Sequence, residues 1–171
     1  TRIPATTLSE ARPHVVDALA RLAPPDRYKG IDHTIRAVAR LLKAGTNVTL
    51  DVVGEGEDLA RLRGIARDSG VGASVFFHGH VGSDALRRLY SSCDVFVLPS
   101  GAEGFGIVCI EAGACGKPVV AGRSGGLVDA VEHDRSGLLV DPHDVGAVAE
   151  ALVSVLTDPS VAERLGKEGR R

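Results

Sequence analysis

From residue 14 onward the chain alternates short, continuous apolar runs with longer segments in which apolar residues recur every three or four positions. The first pattern is that of strands buried on both faces, the second that of helices with one apolar stripe. Six strands are predicted on this basis, over residues 14–20, 48–53, 74–78, 94–98, 118–121 and 138–140. The clearest helix follows the first strand. Ile31, Ile35, Val38, Leu41 and Leu42 share its inner face, Arg36, Arg40 and Lys43 fall between them, and Gly45 closes it. Further helices are predicted over 58–69, 84–92, 106–115, 126–132, 145–156 and 160–167, with Pro159 separating the last two. Strands alternating with helices imply parallel strands joined by crossovers. The expected fold is therefore α/β, a single Rossmann-like domain with a sheet of about six parallel strands and helices on both faces. Residues 1–13 have no period and are expected to be a mobile lead-in to a domain spanning 14–171.

Composition narrows the class. A chain of 171 residues suits one compact domain, and 44% hydrophobic against 25% charged residues favours a folded, soluble protein. A formal charge of -2 and 4% aromatics supply neither the basic surface nor the stacking platforms that nucleic acids require, so no nucleic-acid partner is expected. Cys93, Cys109 and Cys115 form no Cys-x-x-Cys pair, and their odd number fits a reducing compartment, so they read as small buried hydrophobes. No apolar run approaches the ~20 residues of a bilayer-spanning helix, and the N-terminus lacks a basic flank followed by an apolar core. A cytoplasmic location is expected. Since the chain begins at Thr1 and ends on Arg170 and Arg171, it is also expected to be a piece of something longer.

In an open parallel sheet, ligands bind beyond the carboxyl ends of the strands, so the loops there carry the candidate chemistry. Gly54-Glu55-Gly56 begins like a dinucleotide fingerprint, but Leu59 stands where the third glycine belongs and no acid follows at ribose spacing, which argues against NAD. A tight turn is the simpler reading. Arg21 is expected at the end of the first strand, and Lys29-Gly30 to lead directly into the first helix. Two cations beside a helix N-terminus suit a diphosphate, although surface cations are also commonly just solvated. His78 and His80 stand near a strand end without a third ligand at zinc spacing, so a backbone contact from this loop to a base is favoured over a metal. The densest segment runs from Pro99 through Glu103-Gly104-Phe105-Gly106 to Glu111, the nearly sole polar side chain of helix 106–115. Its two carboxylates suit the hydroxyls of a sugar and a ribose; alternatively Glu103 caps the helix and Glu111 pairs with a cation.

Taken in order, these segments resemble the C-terminal domain of the retaining GT-B glycosyltransferases, the large family of bacterial mannosyl- and glucosyltransferases and of sucrose and glycogen synthase relatives. The resemblance runs from about Ala20 to Arg164. It rests on Arg21 and Lys29-Gly30, Val52-Val53-Gly54-Glu55-Gly56, Gly79-His80-Val81 and Asp94 to Ser100, then on Glu103-Gly104-Phe105-Gly106 and Glu111. Gly116-Lys117-Pro118, Gly125-Gly126 and Gly137 to Pro142 complete it. It implies one half of a GT-B fold whose donor site includes Gly54, with the diphosphate of a UDP- or GDP-sugar held by Arg21 and Lys29. Backbone amides of Gly104, Phe105, Gly106, Ile107 and Val108 would assist. Glu103 would contact the transferred sugar, Glu111 the ribose, and the loop from Gly79 to Val81 the base. Such a site stabilises charge on the departing diphosphate with fixed cations and helix amides, so no metal or other cofactor is expected.

The resemblance further implies a glycan, lipid-linked or small-molecule acceptor, bound by an N-terminal domain that this chain lacks together with the final crossover helix. Peripheral membrane contact would run through that half, and this half alone is expected to bind donor without turnover. The alternatives are a nucleotide-sugar epimerase of the same architecture and a degenerate interaction module. One departure concerns the loop before Lys29: Ala20 replaces the family's usual glycine, and Pro24, Pro25, Asp26, Arg27 and Tyr28 lengthen the connection.

Overall fold

Each apolar run becomes a strand of one sheet, and the computed structural model describes these strands within residues 13–171. Residues 1–12, nearly all of the expected lead-in, lie outside the described residues. The strands are β1 (His14–Leu19), β2 (Val48–Val53), β3 (Val75–Gly79), β4 (Val95–Leu98), β5 (Val119–Gly122) and β6 (Gly137–Val140). All pair in parallel, in the order β3-β2-β1-β4-β5-β6. The sheet thus grows outward in both directions from the β1–β4 pair. Loops leaving these two strands diverge to opposite faces and open a crevice between them.

Among the described residues seven helices cover the sheet: α1 (Ile31–Lys43), α2 (Leu59–Asp68), α3 (Ser83–Ser92), α4 (Ile107–Ala114), α5 (Leu127–Ala130), α6 (Val145–Thr157) and α7 (Pro159–Gly169). Alternation along β4 divides the core. Val95 and Val97 face one layer with Val16, Leu50, Ile35, Val38 and Leu152, while Phe96 and Leu98 face the other with Tyr90, Cys109, Ala112 and Leu127. Phe96 and Tyr90 meet edge to face, with ring centroids 5.6 Å apart. Each buried side chain of this size contributes about 1.5–3 kcal/mol, so β4 holds both layers together.

Three expectations shift. Helix 126–132 shortens to α5, because Val131 returns to an extended conformation (φ -127, ψ 115) and buries its side chain in the second layer. Pro159 is the first residue of α7, where its missing N–H costs nothing, and Asp158 caps the helix through Ser160 N (3.0 Å). β1 ends at Leu19, before Arg21, although Ala20 N–H still donates to the Val53 carbonyl (3.1 Å). Of the cysteines, Cys93 and Cys109 are buried, whereas Cys115 is partly accessible.

Candidate donor site

After β1 the chain runs beside the loop that follows β2. Leu22 N–H donates to Glu55 O (2.9 Å), and Asp58 N–H donates to Leu22 O (2.9 Å). This approach demands glycine: a Cβ on Gly54 would stand 1.8 Å from the Ala20 carbonyl oxygen, and one on Gly56 2.0 Å from that of Leu22. Gly54 therefore serves backbone contact between two loops. Its N–H donates to Gly79 O (2.9 Å).

The connection to Lys29 is not an open loop leading straight into α1. Residues Pro24–Lys29 form a 3-10 turn, with two prolines setting its first φ angles, and Gly30 (φ 74) separates it from the helix. The turn is pinned at both ends. Arg27 reaches Asp58 at 3.0 and 2.8 Å, and the Gly101 N–H donates to Tyr28 O at 2.7 Å. It thereby joins the loops after β1, β2 and β4.

This geometry aims two cations into the crevice between β1 and β4. Lys29 Nζ lies 2.8 Å from Glu103 Oε2, a pair that bridges the two loops with both side chains largely withdrawn from water. Arg21 is held by Asp26, Nε to Oδ2 at 2.6 Å and Nη2 to Oδ1 at 3.1 Å. Hydrogen bonding from Arg21 holds the Asp26 carboxyl below the ordinary carboxylate range, so the pair stays ionised. Together with Tyr28 and the segment from Phe105 to Val108, these side chains line a cleft of about 370 Å³.

α4 begins at the cleft. Gly106 (φ 74) turns the chain into the helix, and the backbone of Ile107 and Val108 lines the opening, where first-turn N–H groups have no partner within a helix. The turn before it rests on the loop after β5: Gly126 N–H donates to Glu103 O (2.8 Å), and a Cβ on Gly125 would come within 2.3 Å of that same oxygen. Glu103 thus faces Lys29 and does not cap α4. Glu111 sits one turn beyond Ile107, in an adjoining groove between α3 and α4 lined by Ser83, Leu86, Arg87 and Tyr90. It accepts a hydrogen bond from Tyr90 Oη at 3.0 Å and pairs with no cation among the described residues. α4 is also less buried than its composition implies, for Ile107 and Ile110, one turn and one residue before the carboxylate, are exposed.

The structure therefore gathers Arg21, Lys29, Glu103, Phe105, Gly106, Ile107 and Val108 in one cleft, with Glu111 in the next. Gly54, Gly79, Val81 and Gly104 do not line that cleft; Gly104 lies in the turn between Glu103 and Phe105, packed against Gly126. Gly79 instead hydrogen-bonds Gly54 at the edge of the sheet, and the 79–82 loop leads into Ser83 of the Glu111 groove. His78 is engaged by Asp51 (2.6 Å), apart from the cleft. Asp26 and Tyr28 also line the cleft, and sequence reasoning passed over both. The only signal was an acid five positions after an arginine in a proline-initiated turn.

A doubly wound parallel sheet with cations and a helix N-terminus at its switch point is the Rossmann-like architecture of the C-terminal domain of GT-B glycosyltransferases. The chain belongs to the family described as glycosyl transferases group 1, whose sequence model matches residues 13–171. The GDP-mannose-dependent alpha-(1-6)-phosphatidylinositol monomannoside mannosyltransferase of Mycobacterium tuberculosis is 40% identical over 166 residues, covering 93% of this chain and 42% of that protein. Among solved structures, sucrose-phosphate synthase from Thermosynechococcus elongatus superposes with a TM-score of 0.84 at 37% identity, over 92% of this chain and 40% of that one. Anabaena HepE, solved in complex with UDP and glucose, gives 0.85 at 28% identity, over 93% and 43%. The chain spans about two-fifths of the length of these relatives.

Proposed function

We propose that this domain binds the nucleoside diphosphate of a UDP- or GDP-linked sugar, and that the protein containing it transfers the hexose with retention of configuration. The acceptor would be a glycan, a lipid-linked saccharide or a small molecule, engaged by residues beyond this chain. The observation that carries the reading is the Lys29–Glu103 pair across the switch point, below the start of α4. An incoming diphosphate replaces the Glu103 carboxylate at Lys29. Glu103 is then free to accept hydrogen bonds from hydroxyls of the sugar just beyond the diphosphate.

As the bond from the anomeric carbon to the diphosphate oxygen breaks, positive charge grows on the ring and negative charge on the leaving phosphate. Arg21, Lys29 and the Ile107 and Val108 amides stabilise that negative charge without reorganising, because the loops carrying them are already braced. Glu111, one groove along α4, receives the ribose hydroxyls, and the base extends toward the 79–81 loop next to Ser83. In support, HepE, 28% identical, has been solved with UDP and with UDP-glucose, and the mycobacterial relative is GDP-mannose-dependent.

Calorimetry with UDP and GDP tests the assignment. One of the two binds, Lys29→Ala weakens it by about 30-fold, in the range of a lost charge-assisted contact, and Glu111→Ala by about tenfold. Absence of binding by the folded, unsubstituted chain would overturn the reading.

A further inference from the structure

The lengthened turn before Lys29 carries a buried acid whose partner is a cation of the donor cleft. Asp26 has a side chain only 4% exposed, whereas the Arg21 side chain it holds is 72% exposed. The two ends of this pair therefore have different standing: the carboxylate is fixed within the protein, and the guanidinium projects from it into the cleft. Asp26 takes Nε–H and one Nη2–H of Arg21. Nη1 and the outer hydrogen of Nη2 remain directed outward, and these suffice for a two-pronged contact with a phosphate.

The carboxylate is itself held from several sides. Asp26 N–H donates to Ala23 O (2.8 Å), Tyr28 Oη approaches Oδ1 at 3.4 Å, and the neighbouring Arg27 is tied to the buried Asp58. Tyr28 is anchored through its carbonyl to Gly101 in the loop that carries Glu103. An arginine on the surface samples many rotamers, and immobilising it on binding weakens affinity. Here the protein has already restricted the side chain.

Resting on the donor-binding reading above, we propose that Asp26 is a positioning residue for that site: it orients the Arg21 guanidinium toward the donor diphosphate before the donor arrives. The proline-initiated turn is the device that brings the acid to this place. It also accounts for the departure at 23–28, since a shorter connection would not present a carboxylate to Arg21 from within the protein.

The test is a double-mutant cycle on the 171-residue chain, read as affinity for UDP or GDP, whichever binds, alongside thermal unfolding. Asp26→Asn keeps the side chain's size and lowers affinity about tenfold, the effect of one misdirected charge-assisted contact. In the Arg21→Ala background the same substitution produces no further loss, because its effect passes through the guanidinium. Unchanged or tighter binding by Asp26→Asn overturns the proposal, the latter showing that Asp26 competes with phosphate for Arg21. An equal loss in both backgrounds overturns it as well, assigning Asp26 to the fold alone. If Lys29→Ala abolishes binding while Asp26→Asn leaves it intact, the donor site stands and the positioning role fails; if the unsubstituted chain binds neither nucleotide, both fail.

Discussion

Asp17 and Asp26 lie on the same strand-and-loop segment and are both buried, 2% and 6% exposed, yet their surroundings are opposite. Asp26 faces Arg21. Asp17, in the middle of β1, has no geometrically formed hydrogen bond on either oxygen among the described residues. Across the ladder it meets Asp51 on β2, and Cys93 and Asp94 before β4 and Lys117 before β5 are the other ionisable groups around it. The Cys93 thiol donates to Tyr90 O (3.3 Å), and what it offers the Asp17 carboxylate lowers that group by less than burial raises it. Burial, with the Asp51 charge adding to it, pushes the Asp17 carboxyl up to about 7. The comparison teaches that depth alone does not set a carboxylate's state. A partner brought by a rigid turn keeps Asp26 ionised, and burial without a cation lets Asp17 hold its proton well above the ordinary carboxylate range.

The largest way to sharpen that contrast is the pH dependence of stability. A folded-state pKa raised above the unfolded value near 3.8 means that the native state holds the extra proton between the two. Stability is therefore lost as pH rises from about 4 through about 7, by an amount on the order of 4 kcal/mol if the carboxylate stays buried. Asp17→Asn removes this slope in denaturant unfolding measured from pH 5 to pH 8. The variant is equal to or below the parent at pH 5 and above it at pH 8, so the two curves cross.

A smaller effect is expected at Asp58, the other buried acid of the region, which Arg27 and Arg61 share at 2.8 and 2.6 Å. Asp58→Ala costs about 2 kcal/mol, below the usual figure for a broken buried pair, because both arginines are partly open to water. Denaturant unfolding at pH 7 measures it. Asp26→Asn has the smallest effect on stability. Its lowered carboxyl stabilises the fold above the ordinary carboxylate pKa and ceases to do so as pH falls through the native value. The gap between parent and variant thus closes toward acid, opposite in direction to Asp17, and acid titration of both proteins reads it.

Much of the candidate cleft and of the Glu111 groove was legible in the sequence because their parts are local. Lys29-Gly30, Glu103-Gly104-Phe105-Gly106 and Glu111 each sit at a strand end or helix start that hydrophobic periodicity marks. The shape of the connection before Lys29 was not legible in that way. A loop was expected, and a 3-10 turn formed, because its stability comes from Asp58 and Gly101, which belong to the loops after β2 and β4, remote in the chain. Glu111 stood out as the nearly sole polar side chain of an apolar helix, but the exposure of that helix did not: Ile107 and Ile110 are open to solvent, which only the placement of α4 at the surface decides.

By itself, then, the sequence determined the elements, their order along the chain, the α/β class and which residue types stand beyond each strand. Periodicity and turn chemistry act over a few residues, and no other part of the molecule is needed to read them. Tertiary structure alone decided that β1 and β4 are neighbours, so that Lys29 meets Glu103 across their loops. It also decided that Asp26 acquires a cation while Asp17 acquires another acid. Ion pairing and desolvation depend on distances of a few ångströms between groups remote in the chain, and only strand order brings such groups together.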